Sequence, residues 1–205
     1  MLKKFAFIIF GLCLSFMVGA EEYRSAFGYS INLPSSWIVL SPQTVKKAYK
    51  SENLSSLGLE SVDRETALEI LEKVKSGQVE FYFDKAFSTP AFKNNISVQI
   101  ADGEIIHNTK ELKVTCDAVP EELSRIFKTK IALKQCALKS FGSTKYSVVE
   151  YSGSLPGLTT IQNEFALDKN KKLVVVGGSN DAGLAHLRVA QSALVKSIAI
   201  SLAKP

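Results

Sequence analysis

The chain has 205 residues, of which 46% are hydrophobic and 22% charged, and a formal net charge of +5. Length and apolar share exclude a disordered or fibrous chain and fit one domain with a real core. Its arginines are few (Arg24, Arg64, Arg125 and Arg188) and its lysines are dispersed apart from the Lys169–Lys172 turn, which argues against a nucleic-acid binder.

Residues 1–20 read as a secretory signal peptide. Lys3 and Lys4 form a positive head, an apolar run follows from Phe5 to Val18, and Val18-Gly19-Ala20 offers small residues for cleavage between Ala20 and Glu21. The run is about 14 residues, short of the roughly 20 that cross a bilayer, so cleavage is expected instead of anchoring. Leu12 before Cys13 spoils a lipobox, and there is no twin arginine. No second apolar run follows, so the mature protein is expected to be exported, periplasmic or secreted, with no membrane span. Loss of Lys3 and Lys4 lowers the net charge by two.

Next in the chain, Phe27–Leu33 alternates apolar and polar residues, with Phe27, Tyr29, Ile31 and Leu33 expected inward. Pro34-Ser35-Ser36 turns the chain, and Trp37–Leu40 is expected to complete a hairpin. Ser41-Pro42 fits a helix start, with residues 43–52 helical. Asp63 caps a clearer helix to Lys75 that presents Ala67, Ile70, Leu71 and Val74 on one face and stops at Gly77. Gln78–Asp84 and Ile96–Ala101 read as strands. Phe81 and Phe83 should face one layer and Tyr82 the other, as core residues ahead of any ligand pocket.

Pro120 is expected to open a helix from Glu121 to about Lys128, with acids in its first turn. Strands follow at Ile131–Phe141, Tyr146–Tyr151, Leu158–Leu167 and Leu173–Val176, the last two joined by an Asp168–Lys171 turn. Its continuous valines read as a buried central strand. A long helix, Ala182 to Leu202, carries the stripe Leu184, Leu187, Leu194, Ile198 and Leu202, capped by Asn180 or Asp181. Together these predict an α+β fold, a three-layer α/β/α sandwich with a mostly antiparallel sheet.

Once Cys13 leaves with the leader, Cys116 and Cys136 remain as an even pair in an oxidising compartment. Without a Cys-x-x-Cys spacing a redox site is disfavoured. A disulfide closing a loop of about 21 residues contributes roughly 3 kcal/mol in the chain-entropy model. The alternative is two buried thiols.

The opening Phe27-Gly28-Tyr29-Ser30-Ile31-Asn32-Leu33-Pro34-Ser35-Ser36-Trp37 resembles the F-x-F-x-x-P-x-x-W start of PsbP-like domains. That superfamily also takes in a Ran-binding import factor and bacterial envelope proteins. Asn95-Ile96-Ser97-Val98-Gln99 and a final helix with Lys196-Ser197-Ile198 resemble its later segments. The resemblance implies one PsbP-like domain over 21–205, an α/β/α sandwich that acts by binding proteins. Its motifs are structural, so no functional residue carries over. The leader is not a thylakoid transit peptide and export sets aside a nuclear role.

Catalytic and cofactor signals are sparse. His107 and His186 lack a second ligand at i+3 or i+4, so no metal set is spelled out. Gly153-Ser154-Leu155-Pro156-Gly157 and Gly142-Ser143-Thr144 do not make a nucleophile elbow. Gly177–Gly183 lacks the spacing of a phosphate loop and reads as a turn with a helix cap. Asp102-Gly103-Glu104 lacks the alternating acids of a calcium loop. Asn53-Leu54-Ser55 and Asn95-Ile96-Ser97 fit glycosylation acceptors, which occur often by chance. The sequence therefore implies no enzyme, no cofactor and no nucleic-acid partner. The expected function is an accessory module that binds another envelope or secreted protein. A carrier for apolar ligands or membrane segments, with a groove rimmed by strand aromatics, is the alternative. A hydrolase assembled in space around His107 or His186 is the third reading.

Overall fold

The computed structural model describes residues 21–50, 57, 59, 63–89, 92–103, 106 and 108–203. Expectations for the leader, for its cleavage after Ala20, for His107 and for Asn53-Leu54-Ser55 fall outside that range. The order of elements is β1 (Glu21–Arg24), β2 (Ser30–Leu33), β3 (Trp37–Leu40), α1 (Pro42–Lys50), α2 (Arg64–Lys75), β4 (Val79–Asp84) and β5 (Asn95–Asp102). Then come α3 (Thr109–Phe127), β6 (Ala132–Phe141), β7 (Thr144–Ser152), β8 (Leu158–Ala166), β9 (Lys171–Asn180) and α4 (Leu184–Leu202). Seven strands form one antiparallel sheet in the order β3-β4-β5-β9-β8-β7-β6, and β1-β2 is a separate ribbon.

Side-chain alternation sends the sheet's two faces into two cores. One face carries Tyr82, Ile96, Val98, Val148, Ile161, Phe165, Leu173 and Val175, covered by α4 and by Tyr29, Ile31 and Leu33 of the ribbon segment. At one end of the other face, Phe83 and Val79 join Leu40, Val45, Leu71 and Val74 under α1 and α2. Further along that second face lies α3. Layers of helix, sheet and helix result, as expected for an α+β sandwich.

Caps follow the sequence. Asp63 Oδ1 accepts from Thr66 N at 2.9 Å, and the helix it starts buries Leu71 and Val74. Gly77, at φ 75°, ends it in a left-handed conformation that glycine adopts without steric cost.

Three elements differ from expectation. The hairpin of 27–33 with 37–40 does not form: Ile31 pairs with Tyr23, whereas Val39 pairs with Tyr82. β2 packs against α4, but Leu40 feeds the core under α1 and α2, so β3 needs a partner that shares that far face. Second, Pro120 does not open a helix but sits inside α3. The start lies at Asn108, whose Oδ1 accepts from Lys110 N and Glu111 N, both at 3.0 Å. Third, Gly177–Asn180 is not a turn. It prolongs β9, paired with Leu158–Ile161 of β8. A Cβ on Gly177 would meet Gln191 Oε1 at 2.1 Å, so the glycine serves close packing of α4 on the sheet. Gly183, not Asn180 or Asp181, is the N-cap of α4, although Asn180 Oδ1 accepts from Gly183 N at 2.9 Å.

Cys116 of α3 and Cys136 of β6 are joined by a disulfide with Cα atoms 5.8 Å apart. Cys136 points away from the α4 face, since its neighbour Ala137 packs into that core. The bond therefore fastens α3 to the opposite side.

Candidate functional site

α3 is positioned by its ends and by its staple more than by packing. Asn108 fixes its start, and Lys128, at φ 54°, turns the chain out at its end. Pro120 removes the N–H that would reach the Cys116 carbonyl, so the middle turn lacks one helical bond. The disulfide holds that same turn. Of its 19 residues, Leu112 is the buried one. Val114 is 68% exposed, and Ile126 and Phe127 are exposed as well.

Between α3 and the sheet lies an open cleft of about 450 Å³. Val114, Ala118 and Leu123 line it from the helix, and Val149 and Tyr151 from β7. Burial raises the Tyr151 phenol pKa, so it stays neutral at physiological pH. The polar groups at the rim are matched. Glu122 accepts from Arg125 Nη2 at 2.6 Å, which holds its pKa below the ordinary carboxylate value. Glu164 is bonded by Lys172 Nζ at 2.9 Å, with both side chains mostly buried. With its charges paired, the cleft offers apolar surface as its recognition feature.

The sequence did not mark this place. No element is expected from the sequence ahead of Pro120, in what is the first half of this helical wall, although Asn108 with Glu111 three residues on is a capping pattern, and Asn108 Nδ2 does donate to Glu111 Oε1 at 2.6 Å. Nor do the β4 aromatics rim it: Tyr82 and Phe83 are buried in the two cores, with Phe81 packed against the second, and Tyr151 of β7 is the strand aromatic that lines the cleft.

His186, in the first turn of α4, has Nδ1 2.8 Å from Asp84 Oδ2. Asp84 is 1% exposed, and the ring of Phe87 lies 4.8 Å from the imidazole. A histidine and an acid thus meet, but among the described residues no serine hydroxyl hydrogen-bonds that ring. Two other serine candidates lie in turns: Gly142 and Gly153 take positive φ, and Ser154 is buried. No group of three or more metal-ligating side chains occurs among the described residues, and none of their helices is long and apolar enough to cross a membrane.

Glu80, 1% exposed, carries the densest polar cluster. Its carboxylate accepts from Tyr23 Oη at 2.8 Å, Ser25 Oγ at 2.7 Å, Ala26 N at 2.9 Å and Tyr82 Oη at 2.9 Å. Tyr29 Oη lies 2.6 Å from Tyr82 Oη. Burial first, then the nearby negative charge, pushes the Tyr29 phenol pKa far up. Burial likewise raises those of Tyr23 and Tyr82. These bonds tie the ribbon to β4, a structural use of a buried carboxylate.

No protein-family model matches the sequence, and no curated protein sequence matches it. Among solved structures it is similar to cyanobacterial PsbP (CyanoP) from Synechocystis sp. PCC 6803, with a TM-score of 0.50 at 10% identity over 90% of this chain and 96% of that one. It also aligns with the Saccharomyces cerevisiae Ran-binding protein Mog1p, with a TM-score of 0.45 at 12% identity over 90% of this chain and 98% of that one. At such identities the likeness speaks for architecture alone. The fold of this chain is the PsbP-like fold.

Proposed function

We propose that this chain is an exported, non-enzymatic accessory module that binds another envelope or secreted protein through the cleft beneath α3. The observation that carries the reading is the cleft itself: about 450 Å³, apolar walls, paired rim charges, and exposed Val114 at its edge. Apolar side chains of a partner are what such a surface accepts. Export is supported by the pattern of residues 1–20 and by the Cys116–Cys136 bond, which an oxidising compartment preserves. The carrier reading draws on the same cleft, whose volume falls within the roughly 300–1,000 Å³ of small-molecule sites.

A photo-cross-linking residue at Val114, expressed in the natural host, distinguishes these. The expected result is one reproducible protein adduct in the envelope fraction, absent when the residue is placed at Val189, which is exposed on α4. Adducts to lipid alone establish the carrier reading. The precursor found intact in the cytoplasm overturns export.

A further inference from the structure

A second hollow lies on the other side of the sheet, between α4 and strands β6–β8, with a volume of about 200 Å³. On α4 its walls are Arg188, Gln191, Ser192 and Val195, spaced so that they share one side of the helix. Val148 and Ile161 form an apolar floor. This hollow plays no part in the reading above.

Glu150 and Asn163 are buried and incompletely matched, whereas the Arg188 side chain is half-exposed and Lys139 is exposed. Glu150 is 6% exposed. Its Oε1 accepts from Arg188 Nη2 at 2.6 Å, while Oε2 has no protein partner among the described residues. Asn163 is 4% exposed. Its Oδ1 accepts from Gln191 Nε2 at 2.8 Å, which fixes the amide and leaves the Nδ2 donor without a protein acceptor among the described residues. Both side chains line the hollow, so the unmatched acceptor and the unmatched donor open into one space. Neither atom is sealed from solvent, so water in the hollow serves both until a ligand with its own donor and acceptor replaces it, whereas Gln191 Oε1 on the same lining is sealed without a hydrogen-bond partner among the described residues.

The charges decide what that partner is. A plain anion meets the Glu150 carboxylate. A plain cation meets Arg188 and Lys139, which also lines the hollow. A molecule carrying both signs satisfies each: its ammonium on Glu150 Oε2, its carboxylate on Asn163 Nδ2 and the free N–H groups of Arg188. The volume is that of about seven waters, at roughly 30 Å³ each, which limits the ligand to a few heavy atoms. We infer that this hollow is a binding site for a small zwitterion, an α-amino acid with a short apolar side chain resting on Val148, Ile161 and Val195.

Isothermal titration of the purified protein with L-alanine and L-valine tests this, with acetate and ethylammonium as the two halves. Saturable binding of an amino acid is expected, with each half at least about tenfold weaker. Glu150→Gln keeps the shape of the side chain, and Asn163→Asp keeps the acceptor for Gln191. Each is expected to weaken binding by about tenfold or more. Methyl resonances of Val148 and Val195 in the unaltered protein should shift with the amino acid, a readout independent of how the variants fold. Acetate binding as tightly as alanine, or no saturable binding of either amino acid because water alone fills the hollow, overturns the assignment.

Discussion

α3 and α4 are both 19 residues long, yet they are held in opposite ways. α4 buries Leu187, Ala190, Gln191, Leu194, Val195, Ile198 and Ala199 across the sheet, whereas α3 buries Leu112 and is fastened by a covalent bond. The comparison separates structure from use. A helix that supplies the core cannot leave its underside open, because each unfilled contact costs stability. A helix held by a staple can, and the cleft exists for that reason. Regions with few buried apolar contacts are also those that open locally at low cost.

The comparison breaks most visibly through Leu194, which is 1% exposed. Leu194→Ala is expected to lower stability by about 2–5 kcal/mol through the cavity it leaves. Val114→Ala on α3, at a site outside any core, should stay within about 0.5 kcal/mol. Urea unfolding of both variants measures the contrast, and similar losses would refute it. A smaller effect is expected from the joint replacement Cys116→Ser, Cys136→Ser. Removing the cross-link should lower stability by about 2–4 kcal/mol in the chain-entropy model. Hydrogen exchange should then rise in α3 first, with α4 still protected. Uniform exchange across both helices would show that α3 does not depend on its staple.

Much of this contrast was legible in the sequence, but unevenly. Leu187, Leu194 and Ile198 announced α4 because a core-facing helix must repeat its apolar residues with the helical period. The strands of the second half were legible through β-branched runs. Only the second half of α3, from Glu121, was legible, since a helix that buries little has no strong stripe, and Pro120 in its middle imitates a start. The β3 pairing was hidden for another reason: adjacent strands invite a hairpin, and only the far-side core at Leu40 and Phe83 shows why the chain departs. The cleft and the α4 hollow were beyond reach, because each is assembled from residues far apart in sequence. The cysteine pair signalled the attachment of α3 to the sheet, as it needs no periodicity.

A smaller loss than that of the cross-link concerns a third mode of attachment, the ribbon held to β4 by hydrogen bonds to Glu80. Tyr23→Phe deletes the bond from Tyr23 Oη to Glu80 Oε1 and should cost about 1.5 kcal/mol, the lower range for a bond to a charged group. The phenols add a pH dependence whose sign follows from their raised pKa values. In the unfolded chain a tyrosine loses its proton near pH 10. In the folded chain burial keeps Tyr23 and Tyr29 protonated beyond that pH. The unfolded state then releases protons that the folded state retains, so stability is intact below about pH 10 and declines as the pH rises further. Urea midpoints measured from neutral to strongly alkaline pH should fall steeply for the unaltered protein and less steeply for Tyr29→Phe, which removes one linked proton. An equal slope in the two proteins would mean that the ribbon's phenols ionise freely. The Glu80 cluster would then be a surface contact, leaving the ribbon attached mainly by Ile31 and Leu33.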